Sequence, residues 1–269
     1  MDEFRAEVIR NMYESPRMRN EVRVIPMRRD VMKIPSLDSR PQVTWTEENA
    51  TKSTTTAHFN EKTLTVKKMA SIMYISDELV DDSTEIDVVN FIIELFSESI
   101  GEEEDKVITA GNNTTQPMGY SIAGGTTGIA TRTCSGNLSF DNVIDLEYDL
   151  PRQYHSNAKF FVHRNNIREL RKLKDTDGRY LWQDPVSVGQ PATFHGYPVF
   201  EDNNLPESKI FFGNLKSAYW LGDRQIMTVK ISQDTETAFT KDQTAIRVVS
   251  RIAGTVVLPD AMRALISIP

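Results

Sequence analysis

The chain has 269 residues, of which 39% are hydrophobic, and it carries a formal net charge of -7. This hydrophobic content is enough for a core, and the length predicts about two domains. The negative charge argues against a dedicated nucleic-acid reader, because neutralising phosphates needs a surplus of Lys and Arg.

Cysteine content and hydropathy exclude two further classes. The single cysteine, Cys134, excludes an internal disulfide framework and indicates a reducing compartment. No charged-then-apolar leader opens the chain, and no run approaches the ~20 apolar residues that a bilayer span requires. The sequence therefore favours neither export nor membrane insertion.

Residues 1–35 have the pattern of an amino-terminal arm. Residues 3–13 predict a short helix with a thin apolar face, and residues 23–34 predict an extended arm or edge strand because prolines punctuate them. Lys and Arg slightly outnumber acids in this segment, which indicates a solvated arm.

Residues 42–70 have the pattern of a long β-hairpin. Val43 and Trp45 alternate with polar residues on one side, Leu64 and Val66 do so on the other, and residues 47–57 between them include no large apolar side chain. A two-stranded ribbon is marginally stable alone in water, so we expect this hairpin to lie on another surface. A flexible surface loop is the alternative that composition leaves open.

A long helix is predicted from Ser83 to Gly111. Eight of the eleven residues at 86–96 are large and apolar, which predicts a buried first half. The acidic run Glu102 to Asp105 predicts a largely solvated second half. Gly111 is expected to end the helix in a left-handed conformation.

From Ser139 onward helices and strands alternate. The expected helices start at Ser139 and at Asn165. The expected strands are Lys159–Val162, Tyr197–Phe200, Ile210–Phe212, Ile226–Ile231 and Thr244–Leu258, followed by a short helix or tail at Asp260–Ile266. No doubly wound fingerprint accompanies them, so the predicted class is α+β with more than one lobe.

Residue types that carry enzyme chemistry do not converge in the sequence. The four histidines, at positions 58, 155, 163 and 195, have no partner at metal-ligand spacing. Cys134 is not in a nucleophile-like turn, and the paired acids fall on predicted caps, solvated helix faces or turns. The sequence predicts no catalytic site, metal or cofactor, and a hydrolase that uses Cys134 is the alternative from another class.

Four phrases occur in the order and spacing of one known family. They are GNNTTQPMG at 111–119, LRKLKDTDGRYLWQDP at 170–185, FHGYPVFEDNNLP at 194–206 and FFGNLKSAYWLGDR at 211–224. Together they resemble the major capsid proteins of tailed bacteriophages, whose Hong Kong-type capsid fold is shared with encapsulins and herpesvirus capsid floors. The resemblance runs from about Ile25 to Ile266.

The resemblance implies how the chain is divided and what it does. It implies an amino-terminal arm at 1–35, an extended β-hairpin loop at 36–70, a peripheral domain with a spine helix at 71–138, an axial domain at about 139–225, and a return to the peripheral domain at 226–269. The implied function is structural: hexamers and pentamers form an icosahedral shell around the double-stranded DNA of a tailed phage. An encapsulin-like compartment is the alternative within the fold.

The resemblance also implies partners and contact residues. Besides other copies of the chain, the partners would be a scaffolding protein, a portal, possible decoration proteins and, by weak non-specific contact, packaged DNA, but no membrane. The expected location is the virion capsid, after assembly in the host cytoplasm. The expected intersubunit contacts are Glu47, Glu48, Lys52, Thr54, Thr56, Arg28 and Arg29.

Some members of this family join subunits through an isopeptide bond between a loop lysine and a side-chain amide, assisted by a buried glutamate. By resemblance Lys52 stands near the lysine position, Asp242 at the amide position and Val249 at the acid position. A carboxylate is a poor acyl acceptor for an amine without activation, and valine cannot act as a base. We therefore expect these positions to be inactive.

Overall fold

The computed structural model describes residues 18–39, 45, 58–78, 88–122, 127–135, 139–174, 180, 182, 193–233 and 235–268. Several predictions lie outside these residues, namely the helix at 3–13, the hairpin tip at 46–57 and the start of the long helix at 83–87.

The described residues form five α-helices and twelve β-strands. The helices are α1 (Val88–Ala110), α2 (Phe140–Tyr148), α3 (Arg164–Lys172), α4 (Leu215–Ala218) and α5 (Glu236–Thr240). The strands are β1 (Arg23–Pro26), β2 (Val31–Ser39), β3 (His58–Thr65), β4 (Lys67–Ser76), β5 (Ala130–Ser135), β6 (Lys159–Val162), β7 (Thr193–Phe194), β8 (Tyr197–Glu201), β9 (Lys209–Gly213), β10 (Tyr219–Ser232), β11 (Gln243–Val256) and β12 (Met262–Ile268). Single 3-10 turns occur at Met18–Asn20, Arg152–Asn157 and Pro259–Ala261.

A four-stranded sheet has the order β1-β10-β11-β4. The two long central strands are antiparallel, and β1 lies at one edge, parallel to β10. The edge strand expected within residues 23–34 is therefore confirmed. Strand β11 confirms the long β-branched strand expected near the end of the chain, since alternate residues such as Ile246 and Val248 are buried on one face.

Helix α1 covers that face of the four-stranded sheet. Ile92 and Phe96 are buried, and they pack against Ile246 and Val248. The predicted burial of the first half of this helix is confirmed for Ile92 and Phe96. It is wrong for Phe91, which is more than half exposed.

The second half of α1 is not solvated, contrary to the sequence prediction. Ile108 is fully buried, and Glu104, within the acidic run, is only 1% exposed. The sequence pattern missed this because the partner of Glu104 is Arg19, a residue 85 positions away. Gly111 also differs from the prediction, since its φ is not positive. Glycine is required there because a Cβ would lie 2.1 Å from the carbonyl oxygen of Pro117.

A six-stranded sheet has the order β5-β12-β9-β6-β8-β7. Its core is aromatic, with the rings of Phe160 and Phe212 4.3 Å apart and those of Phe160 and Phe194 5.5 Å apart. Helix α2 begins where predicted, with the Ser139 hydroxyl accepting a hydrogen bond from the Asn142 amide. Helix α3 also forms, but His163 rather than Asn165 caps it, through its Nδ1 atom.

The end of the chain corrects another prediction. Residues Met262–Ile268 form strand β12 between β5 and β9, instead of the expected short helix or tail. Ala264 and Leu265 are 1% exposed there. An apolar run of this length does not distinguish a strand from a helix, and here two neighbouring strands decide it.

Strands β2 and β3 form the hairpin, with a register that pairs Met32 with Leu64. The hairpin predicted within residues 42–70 therefore has its first strand earlier in the chain than expected, at Val31–Ser39. The chain after Thr65 leaves the hairpin, because Lys67–Ser76 pairs with β11 instead. Leu64 is fully buried against Met27 and Val257, which anchors the hairpin base on the four-stranded sheet.

Met18, Arg19 and Val22 are buried, which corrects the prediction of a solvated arm at these positions. Arg19 is 5% exposed, and its guanidinium binds Glu104 of α1 and Asp223 of β10. The backbone N–H of Met18 donates to Asp105 of α1 at 3.1 Å. One buried arginine therefore holds the amino-terminal segment, the long helix and the sheet together.

This cluster contains more negative than positive charge. Burial raises the pKa of Glu104 and of Asp223 above their ordinary values, and Arg19 opposes the shift at both carboxyl groups. The neighbouring charges of Asp223 and Asp105 add to the rise at Glu104. Burial also raises the pKa of Tyr219, and the nearby charge of Glu104 adds to that rise.

Replacing Arg19 with Met should lower the free energy of unfolding by about 3–5 kcal/mol, because two buried carboxylates lose their counter-charge. Urea denaturation of the unassembled chain would measure it. Arg23→Met is the matched control, since Arg23 is exposed and only stacks on Trp220 at 4.3 Å. Equal losses for the two variants would contradict the role of Arg19.

The raised pKa of Glu104 also predicts a pH dependence. Protonation of this group is favoured in the folded chain, so its contribution to stability is complete below the ordinary value of 4.5 and is lost as pH rises through the raised pKa. Glu104→Gln should flatten the fall in stability over this range. Denaturation curves at a series of pH values, compared between wild type and variant, would test this, and parallel pH profiles would contradict it.

Candidate functional site

The hairpin formed by β2 and β3 projects from the four-stranded sheet as a two-stranded sheet of its own. Its exposed ion pair, Lys33 Nζ to Glu61 Oε2 at 2.7 Å, is of the kind that contributes little to stability. Trp45, which follows β2, is fully exposed.

The face of the four-stranded sheet opposite α1 has two unlike halves. The hairpin base covers this face near the carboxyl-terminal end of β11. The packing there is close, because a Cβ at Gly222 would clash with the side chains of Met27 and Leu64. The other half is uncovered and basic. We call it the basic half-face, and it comprises Lys68, Ile72, Tyr74, Gln225, Thr228, Lys230, Arg247, Val249 and Arg251.

The strand register places like charges opposite one another on the basic half-face. Lys230 pairs with Arg247, and Arg251 pairs with Lys68. Like charges directly opposite in a sheet destabilise it. Between these two rows Val249 lies at the bottom of a shallow groove of about 350 Å³.

Few carboxylates neutralise this charge. The Oδ1 atom of Asp30 lies 3.1 Å from Nη2 of Arg251 and 3.5 Å from Nε of Arg224. Lys68, Lys230 and Arg247 pair with no carboxylate among the residues whose structure is described. These cations attract an anionic group, and the ion pair between Asp30 and Arg251 shows that a carboxylate fits beside them.

The histidines and Cys134, which could carry enzyme chemistry, take part in contacts that stabilise the fold. Three histidines have local partners: His155 bonds to the Tyr197 hydroxyl and the Leu150 carbonyl, His163 caps α3, and His195 lies 3.3 Å from Glu147. Cys134 is buried, and its thiol donates to the Ile266 carbonyl. Within the described ranges, no group of three His, Cys, Asp or Glu residues could hold a metal ion.

The predicted contact and cross-link residues fall in different places. Arg28 and Arg29 are exposed at the base of the hairpin, between β1 and β2. Asp242 is exposed in the turn before β11, with a φ of 47°, and Val249 is half-buried on the basic half-face. The five remaining candidates lie outside the described residues: Glu47, Glu48, Lys52, Thr54 and Thr56.

Sequence reasoning missed the basic half-face. Lys230, Arg247 and Arg251 occupy alternate positions of long strands, which places them on one face of each strand. That signal was available, but only the register between β4, β10 and β11 brings the four cations together.

A model of the phage capsid family matches residues 1–266. The chain belongs to the phage capsid family. It is a major capsid protein, a structural protein of the virion shell rather than an enzyme, and its copies assemble into an icosahedral shell. Neither the encapsulin-like compartment nor the Cys134 hydrolase is supported.

Solved structures similar to this capsid protein show its fold. The capsid of an empty GTA particle has a TM-score of 0.82 at 23% identity, over 95% of this chain and 90% of that chain. The capsid of a native GTA particle has a TM-score of 0.83 at 23% identity, over 94% of this chain and 90% of that chain. A structure from Microbacterium phage Oxtober96 has a TM-score of 0.73 at 19% identity, over 94% of this chain and 91% of that chain. The predicted α+β, Hong Kong-type fold is confirmed.

Among curated proteins, none matches this chain significantly. Of the helices whose residues are described, none is long and apolar enough to span a bilayer.

The capsid protein should not cross-link itself covalently. Val249 lies between basic rows and offers no base, and the residue in the turn before β11 is the carboxylate Asp242. Purified assembled particles, boiled in detergent and reducing agent, should run as a single monomer band. A ladder of covalent oligomers would contradict this.

Proposed function

We propose that the capsid protein assembles as hexamers and pentamers, and that its hairpin contacts a neighbouring subunit in the shell. The observation that carries the proposal is the hairpin itself. Beyond its buried base the two strands pair only with each other, their ion pair Lys33–Glu61 is exposed and Trp45 is fully exposed, so this part of the ribbon is only marginally stable in a single chain. A neighbouring subunit supplies the missing surface.

The contact residues follow from this role. Glu47, Glu48, Lys52, Thr54 and Thr56 belong to the hairpin tip, and Arg28 and Arg29 belong to its base. Each contact is modest, and closure of a shell repeats it in every subunit, so the total binding free energy is large.

The two sheets would form the two domains of the family. The four-stranded sheet with α1 would be the peripheral domain, and α1 its spine helix. The six-stranded sheet with α2 and α3 would be the axial domain at the centres of hexamers and pentamers. Strand β12 would belong to this second domain, because it pairs with β5 and β9.

The enclosed material would be the double-stranded DNA of a tailed phage. A net charge of -7 suits a container whose wall binds its genome only weakly. A scaffolding protein, a portal and decoration proteins would be the other partners, and assembly would take place in the host cytoplasm.

Deleting residues 47–57 should leave the fold intact and prevent stable shells, since the core clusters lie elsewhere. Circular dichroism would check the fold, and sedimentation velocity would measure the fraction of protein in shells. A deletion of residues 175–179, which include the turn-favouring dipeptide Asp177-Gly178 and lie outside the hairpin, is the control for the removal of residues as such. Shells of normal yield from the 47–57 deletion would contradict the role of the hairpin.

A further inference from the structure

Strand β4 is an outer strand of the four-stranded sheet, and β11 pairs with one of its sides. Among the described residues, none forms a hydrogen bond with the other side of the backbone from Met69 to Tyr74. Such an edge offers a row of backbone N–H and C=O groups to an extended chain, and proteins commonly protect it with a charge, a proline or a bulge. From Met69 to Ser76 this edge has none of the three.

Apolar side chains are exposed on both faces of this edge. Met73 is on the face toward α1 and is 36% exposed, whereas Ile72 and Tyr74 on the opposite face are 55% and 45% exposed. Three consecutive exposed apolar residues are unusual, since an antiparallel sheet commonly buries apolar side chains on one face and solvates the other. A further strand beside β4 would cover all three, because cross-strand neighbours lie side by side on each face.

A groove of about 300 Å³ lies along this edge on the side of α1. Met69 and Met73 line it from β4, and Leu95 and Ile100 line it from α1. The small Ser71 lies between the two methionines and leaves the groove open. Successive side chains of a strand point to opposite faces, so an added strand would place every second side chain in this groove. Apolar side chains fit it best.

The intervening side chains of an added strand would lie beside the basic half-face. Lys68 and Ile72 are on this face of β4, and Arg247 is the cross-strand neighbour of Ile72. Lys68 and Arg247 pair with no carboxylate among the described residues. Carboxylates at these positions of the added strand would pair with the two cations. A segment in which apolar and acidic residues alternate therefore matches both faces.

We propose that the free edge of β4 binds an extended segment of another polypeptide by strand addition. Its apolar side chains enter the groove beside α1, and its acidic side chains pair with Lys68 and Arg247. In this mode main-chain hydrogen bonds supply the affinity, and the pockets for alternate side chains supply the specificity. One short segment thereby attaches a partner protein to the shell wall. The proposal does not depend on the hairpin contact, because a single chain already presents the edge and the groove.

Fluorescence anisotropy on the unassembled full chain tests the proposal with a labelled peptide of 10 residues, as long as β4. In this probe leucine and valine alternate with glutamate. We expect saturable binding, and binding weaker by about tenfold or more for a peptide of the same composition without the alternation. Methylating the backbone nitrogens of alternate residues should abolish binding for one of the two possible sets only, because a strand bonds to its neighbour along one side.

Two variants of helix α1 locate the site. Leu95→Gln should weaken binding about tenfold, because Leu95 lines the groove. Phe91→Gln is the matched control and should leave binding unchanged, because Phe91 is exposed on the same helix but does not line the groove. Lys68→Glu should reverse the preference, toward a peptide with lysine in place of glutamate.

Hydrogen exchange gives an independent readout. The outward amides of Met69–Tyr74 should exchange fast in the free chain and slowly with the peptide bound. The proposal is overturned if these amides are already protected in the free chain, because the edge is then occupied by the chain itself or by a second copy. It is also overturned if the alternating peptide does not bind, if the peptide without alternation binds equally well, if both methylated sets act alike, or if Leu95→Gln binds like Phe91→Gln.

Discussion

The four-stranded sheet depends on cover from both sides, and the described residues cover one face and about half of the other. Helix α1 buries Ile92 and Phe96 on one face, and the hairpin base buries Leu64 on part of the other. The basic half-face and Trp45 stay exposed in the single chain. The core of the subunit therefore closes within one chain, while part of this sheet remains exposed.

Stability within the subunit depends on contacts between distant parts of the chain. Arg19 joins the start of the chain to α1 and β10 through Glu104 and Asp223. Tyr219, fully buried in the same region, donates from its hydroxyl to the Met118 carbonyl and ties β10 to the loop after α1. These buried polar contacts favour one arrangement of helix and sheet, whereas apolar packing alone tolerates several. A subunit that must match identical neighbours benefits from such a fixed arrangement.

The sequence predicted elements whose pattern is local. Ile92 and Phe96 lie within a dense apolar run, and strands β6 and β9 are short apolar segments, so each was recognisable without its partners. The second half of α1 was misjudged because Arg19, far away in sequence, decides the burial of Glu104. Strand β12 was missed because its neighbours β5 and β9 determine its conformation. The basic half-face was missed for the same reason, since register between three strands creates it. Family resemblance predicted the shell, and five of the seven contact residues that it implied lie outside the described residues.

The central claim is that copies of this chain complete one another's surfaces in a closed shell. The most direct measurement is an electron cryomicroscopy reconstruction of particles assembled from the purified chain. The account predicts closed icosahedral particles in which density for each hairpin contacts a neighbouring subunit. Monodisperse monomers at high concentration, or shells in which each hairpin contacts only its own subunit, would contradict it.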